Sequence, residues 1–310
     1  MRKTNHVRPL RIRLRNDFKE NWLLYLMLVP VVLFYLIFHY GPMFGLSIAF
    51  LDYRPARGIL GSRFVGFKHF YNFFTNYYFW RLLRNTIRIS LWSLATFPLP
   101  IIFALLINEL RSPKFSKPAQ TIAFIPHFIS TVVICGMIVE LTSSDGAITS
   151  ILHTLFGVER VSLLTKKENF IPIYVLSGIW QALGWDAIIY ISALAGISPE
   201  LYDAAEIDGA GRWQQMLHVT LPGLASTIII MLILKVGKIF NVGYEKIILL
   251  YNPAIYETAD VINTYVYRKG MIDAQYSYSA AVGLFNNIVS FLLVNITNHI
   301  SKKTSDTGLW

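Results

Sequence analysis

One cysteine, Cys135, stands among 310 residues, so no disulfide can close within the chain and cysteine usage says nothing about redox compartment. Cys135 lies inside an apolar run, where a lone thiol packs as a small hydrophobe. Charge is scarce as well. Charged residues make up 15% of the chain, against roughly 25% in average domains. With 54% hydrophobic residues and a mean hydropathy of +0.47, this scarcity excludes a large soluble domain and points to an all-α membrane protein. Acidic residues are the scarcer sign, 18 against 28 basic, for a net charge of +10. In a soluble protein that excess would suggest nucleic acid. Here much of it sits in residues 1–20, where a phospholipid surface is the better partner. The chain also lacks a nucleotide-binding loop: from Gly61 to Lys68 the glycine spacing is partly right, but Phe67 stands where the lysine is required. No internal repeat, low-complexity tract, metal-ligand spacing or catalytic constellation is found.

What is present is apolar runs and 15% aromatic residues, which suits wide interfacial belts. Residues 1–20 carry Arg2, Lys3, Arg8, Arg11, Arg13, Arg15 and Lys19 against Asp17 and Glu20, and read as a basic cytoplasmic tail. A signal peptide is the rival reading and is not expected, because the run from Trp22 to Tyr40 is too long and lacks a small-residue cleavage site. That run is a first span with Pro30 as a kink. Residues 21–83 thus hold the first span and an external loop with short interfacial helices. Residues 84–300 hold the core. Its spans are expected at Asn85–Asn108, at Ala119–Leu141 broken by Pro126, at Phe170–Ile197, at Pro222–Val242 and at Tyr276–Ile300. The short loop Glu109–Pro118, with Arg111, Lys114 and Lys117, is basic and so cytoplasmic; residues 142–169 and 243–275 are external. Residues 301–310 form a second cytoplasmic tail. Six spans leave both termini in the cytoplasm.

Ionisable groups inside spans are costly and mark a pathway or a paired contact. Arg88 is expected near a span end, snorkelling to the interface. Asp186 lies mid-span beside Trp185, five residues after Gln181. Lys235 and Lys238 share one helical face, continued by Asn241. Two readings stand: a polar seam lining a central cavity, or a structural charge paired within the chain or with a partner subunit. Trp180, Trp185, Tyr190, Phe240 and Tyr244 offer flat surfaces for sugar rings, although aromatics in spans commonly just pack. Asp186 neutralises one lysine at most. The spare positive potential favours cargo bearing carboxylates, such as uronate- or sialate-containing oligosaccharides. An acidic residue on a second subunit is the competing explanation.

Between the fourth and fifth apolar runs lies the polar passage LYDAAEIDGAGRWQQMLHVTLP, from Leu201 to Pro222. Ser198 suits an N-cap, Pro199 the first helical position and Glu200 the positive end of the helix dipole. Ala204 and Ala205 give a smooth helical surface, and Gly209 and Gly211 end it. The passage resembles the EAA signature of bacterial ATP-binding-cassette importer permeases: an acidic residue and two alanines, a glycine four residues on, then I-x-L-P. The matching positions are Asp203, Ala204, Ala205, Gly209, Val219, Leu221 and Pro222, with Asp for the usual Glu and Val for the usual Ile. Tyr40 to Met43 with Gly45, Ala49 to Tyr53, and Val65 to Phe70 are similar to the N-terminal half of the oligosaccharide permeases in that family.

The resemblance implies a type I (MetI-like) importer permease fold of six transmembrane helices with a cytoplasmic coupling helix at 198–222. It implies a bacterial cytoplasmic-membrane protein that binds no cofactor itself and is no enzyme. A second, related permease would complete a heterodimer. Two copies of an ATPase, binding ATP and magnesium, would dock on Asp203, Ala204, Ala205, Asp208, Gly209, Leu221 and Pro222. An extracellular solute-binding protein would deliver oligosaccharides or glycan fragments past Trp180, Gln181, Trp185, Asp186, Lys235, Lys238 and Asn241. The alternatives are an importer permease of the same fold for a non-sugar solute and, from another class, an ion-coupled secondary transporter or channel; such transporters usually show repeated halves. On this topology, a cysteine placed at Ser144 reacts with an impermeant thiol reagent added outside and one at Ser116 does not, which labelling of intact cells measures.

Overall fold

The computed structural model describes residues 18–110, 112–305 and 307–310. Residues 1–17 of the basic tail, with Arg2 to Arg15 and Asp17, and the loop residue Arg111 lie outside the described residues. The fold is helical. Among the described residues four helices are long and apolar enough to cross a membrane: α1 (Trp22–Phe50), α3 (Phe79–Glu109), α9 (Arg212–Gly237) and α12 (Tyr276–Ser305). A short helix α2 (Lys68–Phe74) follows a small antiparallel pair, Leu51–Asp52 with Arg63–Phe64. Two further apolar helix pairs are bent: α4 (Pro113–Phe124, with a 3-10 turn to Phe128) against α5 (Thr131–Leu141) by 95°, and α7 (Phe170–Leu194) against α8 (Pro199–Ile207) by 70°. A shorter apolar helix, α6 (Ala147–Phe156), lies between the two pairs, and counting each bent pair once gives up to six spans among the described residues.

Several boundaries differ from the sequence expectation, each for a local reason. The first span does not stop at Tyr40. It widens into π geometry at Leu36–Tyr40 and tightens into a 3-10 helix at Phe44–Phe50, which absorbs Gly41, Pro42 and Gly45 without a break. Pro30 is accommodated inside Trp22–Tyr35, and none of those residues is buried within this chain. α3 begins at Phe79, six residues earlier than expected. Arg88 therefore sits nine residues into the helix, exposed like Arg84, rather than near its end. Pro98 and Pro100 open the second half of α3, Pro98–Glu109, where a missing N–H costs little. Pro126 does break the third span, and the Ser130 hydroxyl caps α5 by accepting the Val133 N–H at 3.3 Å.

The fifth span shifts most. α9 starts at Arg212, ten residues before Pro222, and passes through a π turn at Met216–Thr220 that makes room for the proline. It ends at Gly237, not Val242. There a Cβ would overlap the Val294 side chain of α12, so glycine permits the close crossing. Lys238 and Asn241 thus leave the helix and lie in the turn beyond it.

Residues 243–275, expected as an external segment, carry α10 (Tyr244–Leu250) and α11 (Ile262–Tyr267) packed against the bundle. Ile247, Ile255, Ala259 and Val261 are buried in one hydrophobic cluster with Ile89 of α3, Cys135 of α5 and Phe170 of α7. Polar contacts fasten the segment. The Ile262 N–H donates to Thr86 Oγ1 at 3.0 Å, and the Asn85 amide donates to the carbonyls of Glu257 and Asp260 at 2.8 and 3.0 Å. At the centre Asp260, 0% exposed, takes two guanidiniums: a two-pronged contact from Arg268 at 2.7 and 3.0 Å, and one from Arg81 at 3.3 Å. The Thr264 hydroxyl adds a fourth donor at 2.8 Å. Burial works against charge on Arg268, but its hydrogen bonds to Asp260 outweigh this and push its pKa above the ordinary arginine value. Removing one partner of a buried ion pair costs about 3–5 kcal/mol, because the other charge stays buried. Asp260→Ala therefore exposes residues 244–272 to limited proteolysis in detergent and lowers the unfolding temperature, whereas Glu257→Ala, which breaks only an exposed pair with Lys167, leaves both unchanged.

Candidate functional site

On α7 the residues Tyr174, Gly178, Ala182, Asp186 and Tyr190 recur every four positions, so they form one stripe along the helix. The stripe faces two adjoining cavities that meet at Tyr174 and Asp186. One, of about 250 Å³, is lined by Ser93, Tyr174, Gly178, Gln181, Asp186, Lys235 and Lys246 among others. The second, of about 360 Å³, adds Ser90, Tyr190, Lys238 and Asn241. That volume lies within the roughly 300–1,000 Å³ of small-ligand pockets. Gln181, Asp186, Lys235, Lys238 and Asn241 are thus brought together as the sequence suggested, although the one-face helix argument for Lys238 and Asn241 was wrong. Asn241 is steadied by the Asn286 amide, which donates to it at 3.4 Å and to Asn263 at 3.1 Å.

The aromatic expectation holds only in part. Tyr190 lines the second cavity. Trp185 instead stacks on His127, with centroids 4.3 Å apart and planes at 4°, and the half-exposed Trp180 lines neither cavity. Phe240 is buried in a cluster with Phe73 and Ile262, and Tyr244 stacks on Tyr267 at 5.8 Å. Among the cavity residues that the sequence reading does not single out are Tyr174 and Lys246. The signal for Lys246 was a lysine inside the apolar stretch YEKIILLY, hidden because the whole segment reads as external loop.

The cavity walls therefore carry three lysines, Lys235, Lys238 and Lys246, against the single carboxylate of Asp186. Among the described residues Asp186 forms no ion pair; the pairs present are at Asp260, Glu159, Glu257 and Asp273. Within low-dielectric walls such a surplus attracts anions more strongly than it would in water.

At the other end of α7 the chain turns by 70° into α8. Ser198 occupies the N-cap position, but its hydroxyl makes no capping hydrogen bond. The C-terminus is closed by a Schellman motif: the Ala210 N–H donates to Ala205 O at 2.8 Å and the Gly209 N–H to Glu206 O at 3.0 Å. Gly209 holds φ +78°, a left-handed backbone that a side chain disfavours. The hydroxyls of Tyr202 and Thr220 are hydrogen bonded at 3.0 Å, tying α8 to the foot of α9. Leu221 is half-buried at that foot and Pro222 is exposed. Asp203, Ala204 and Asp208 are exposed and Ala205 half-exposed; of the apolar side chains here Ile207 is 86% exposed, Trp213 69% and Leu201 54%. A small-residue helix ringed by bare apolar side chains has the surface of an unoccupied contact.

A short helix held rigidly between two spans, below a polar cavity within the bundle, is the architecture of a transport-system membrane component. The chain belongs to the binding-protein-dependent transport system inner membrane components, whose family model matches residues 73–306. It is 44% identical to the polygalacturonan/rhamnogalacturonan transport system permease protein YteP of Bacillus subtilis strain 168, over 93% of this chain and 90% of the relative. Protein LplB of the same organism is also 44% identical, over 94% of this chain and 92% of its own. Among solved structures, the chain matches the crystal structure of a bacterial ABC transporter involved in the import of the acidic polysaccharide alginate. The TM-score is 0.87 at 44% identity, covering 94% of this chain and 99% of that one. A second structure, of a bacterial alginate ABC transporter in complex with its alginate pentasaccharide-bound periplasmic protein, matches with a TM-score of 0.88 over 96% of this chain.

The left-handed position of Gly209 sets a graded test of the loop. A non-glycine residue there costs about 1–2 kcal/mol, less for asparagine. Gly209→Ala lowers uptake by the assembled transporter while the protein stays in the membrane, and Gly209→Asn lowers it less. Within this chain the Cβ meets nothing within 4 Å, so the strain there is of the backbone and not of crowding.

Proposed function

We propose that this chain is one of two related permease subunits of an ATP-driven importer, and that its cargo is acidic oligosaccharide derived from glycans. The observation that carries the cargo reading is the cavity with three lysines and one carboxylate. The relatives support it, since polygalacturonan, rhamnogalacturonan and alginate, named for them, all contain uronate units. A pathway for neutral sugars has no use for three ammonium groups without an ion-pair partner among the described residues, one of which, on Lys246, is buried at a desolvation cost.

Both termini lie in the cytoplasm in this reading, which puts α8 on the cytoplasmic side. Two copies of an ATPase bind ATP and magnesium there, because this chain has no loop for nucleotide. Closure of the ATPases pushes on Ala204, Ala205 and the apolar rim at Leu201 and Ile207. The hydrogen bond between Tyr202 and Thr220 and the covalent turn into α7 then carry a rigid displacement into α7 and α9. Those two helices hold Asp186 and Lys235, so movement at α8 reshapes the cavity directly. An extracellular solute-binding protein supplies the glycan, and the second permease supplies the other wall of the path.

The test is uptake by cells of one acidic and one neutral oligosaccharide of equal length, with the native chain, Lys235→Gln and Lys238→Gln. Each substitution removes one charge-assisted contact, and uptake of the acidic sugar falls by about tenfold while the neutral sugar is unaffected. Equal loss of both sugars removes the lysines from cargo recognition.

A further inference from the structure

Of the three cavity lysines, Lys246 is the one whose environment is least explained by packing. It is 9% exposed, and its ammonium nitrogen is buried with no hydrogen-bond or ion-pair partner. Lysine is almost never fully buried unpaired, since desolvating a lone ammonium is among the costliest burials a side chain makes. Its position is set rather than accidental. α10 is folded back by the Asp260 clasp, and the Cys135 thiol lies 3.9 Å from the Lys246 carbonyl. The side chain runs to the wall of the first cavity, where Nζ sits 5.3 Å from the centre of the Tyr174 ring. On another side it faces Gly178, where even a Cβ would stand 3.8 Å from Nζ. The ring provides a partial counter-charge, weaker than a carboxylate. The glycine keeps the space beside the ammonium open.

We propose that Lys246, with Tyr174 and Gly178, forms a subsite for a sugar carboxylate in the transport path, with the ammonium as ion-pair partner and the ring as a platform for the sugar. This rests on the acidic-cargo reading. It adds a residue from outside the spans to the lysines of α9 and its following turn. It also explains the missing partner: the partner is the substrate, present only during passage.

The test uses the complete transporter in proteoliposomes, with its partner permease, ATPase and solute-binding protein. The probes are a galacturonate trisaccharide and its fully methyl-esterified form, which has the same length without the charge. With Lys246→Met the KM for the free acid rises about tenfold, the scale of one charge-assisted contact, and that for the ester does not change; Lys246→Arg retains most of the native preference. Equal impairment of both probes, or of neither, overturns the subsite and leaves Lys246 as a packing residue. If Lys246→Met fails to assemble, Gly178→Ala serves, since its added methyl makes an ordinary contact and fills the opening. A selective loss of the free acid there supports the subsite, and an unchanged preference overturns it. A native transporter that takes acid and ester equally well defeats the acidic-cargo reading itself, before any variant is compared.

Discussion

Asp260 bears on more of this structure than any other single group. A carboxylate with no exposure at all is tolerable only because two guanidiniums and a hydroxyl surround it. One guanidinium comes from the start of α3 and the other from the segment Asp260 itself belongs to, so satisfying the charge joins the two. With that joint made, Ile247, Ile255 and Val261 reach the interior beside Ile89 and Phe170. Lys246 reaches the cavity wall for the same reason. The ion cluster is therefore less a source of net stability than a device for register, holding a polar-looking segment against a span it would otherwise leave.

Opposite demands meet at the cavity. Burial of apolar area drives the helices together, and the small residues Gly178 and Ala182 on α7 leave a gap along the line of approach. Into that gap project lysines that the surrounding chain does not neutralise. Tyr174 and Tyr190 bound it with aromatic faces, and Ser90 and Ser93 supply hydroxyls from α3. Charge, hydroxyl and ring are the chemistries that bind an acidic sugar. The coupling loop shows the complementary design. Hydrogen bonds from Gly209 and Ala210 close the end of α8, and Tyr202 anchors its side, which suits the proposed role, in which a push on its bare face would move the spans instead of deforming the helix.

Much of this was legible in the sequence because bilayers impose simple rules. Apolar length located the spans, Pro126 located the bend of the third, and the alanines and glycine of 198–222 located the coupling helix with its cap. Gly209 reads as a helix end by type alone, and the structure adds the reason, a positive φ. Asp186, Lys235 and Lys238 were identifiable as costly charges. What failed did so where long-range contact overrides local signals. Gly41 and Pro42 look like breakers, yet π and 3-10 turns carry the helix through to Phe50. α9 ends at Gly237, where it crosses close to Val294, more than fifty residues away, so helical periodicity misjudges Lys238 and Asn241 while still placing them on the right cavity. Residues 243–275 have loop-like composition, and only their partners on α3 reveal them as core. Lys246 was lost with them.

The central claim is that the unpaired lysines wait for cargo and not for a carboxylate on the second permease. Electron cryo-microscopy of the complete transporter, trapped with an acidic oligosaccharide inside, tests it most directly. The account predicts sugar density between α3, α7 and the end of α9, with carboxylates turned to Lys235 and Lys238. Density elsewhere, with both lysines in ion pairs to acidic side chains of the partner permease, would contradict it.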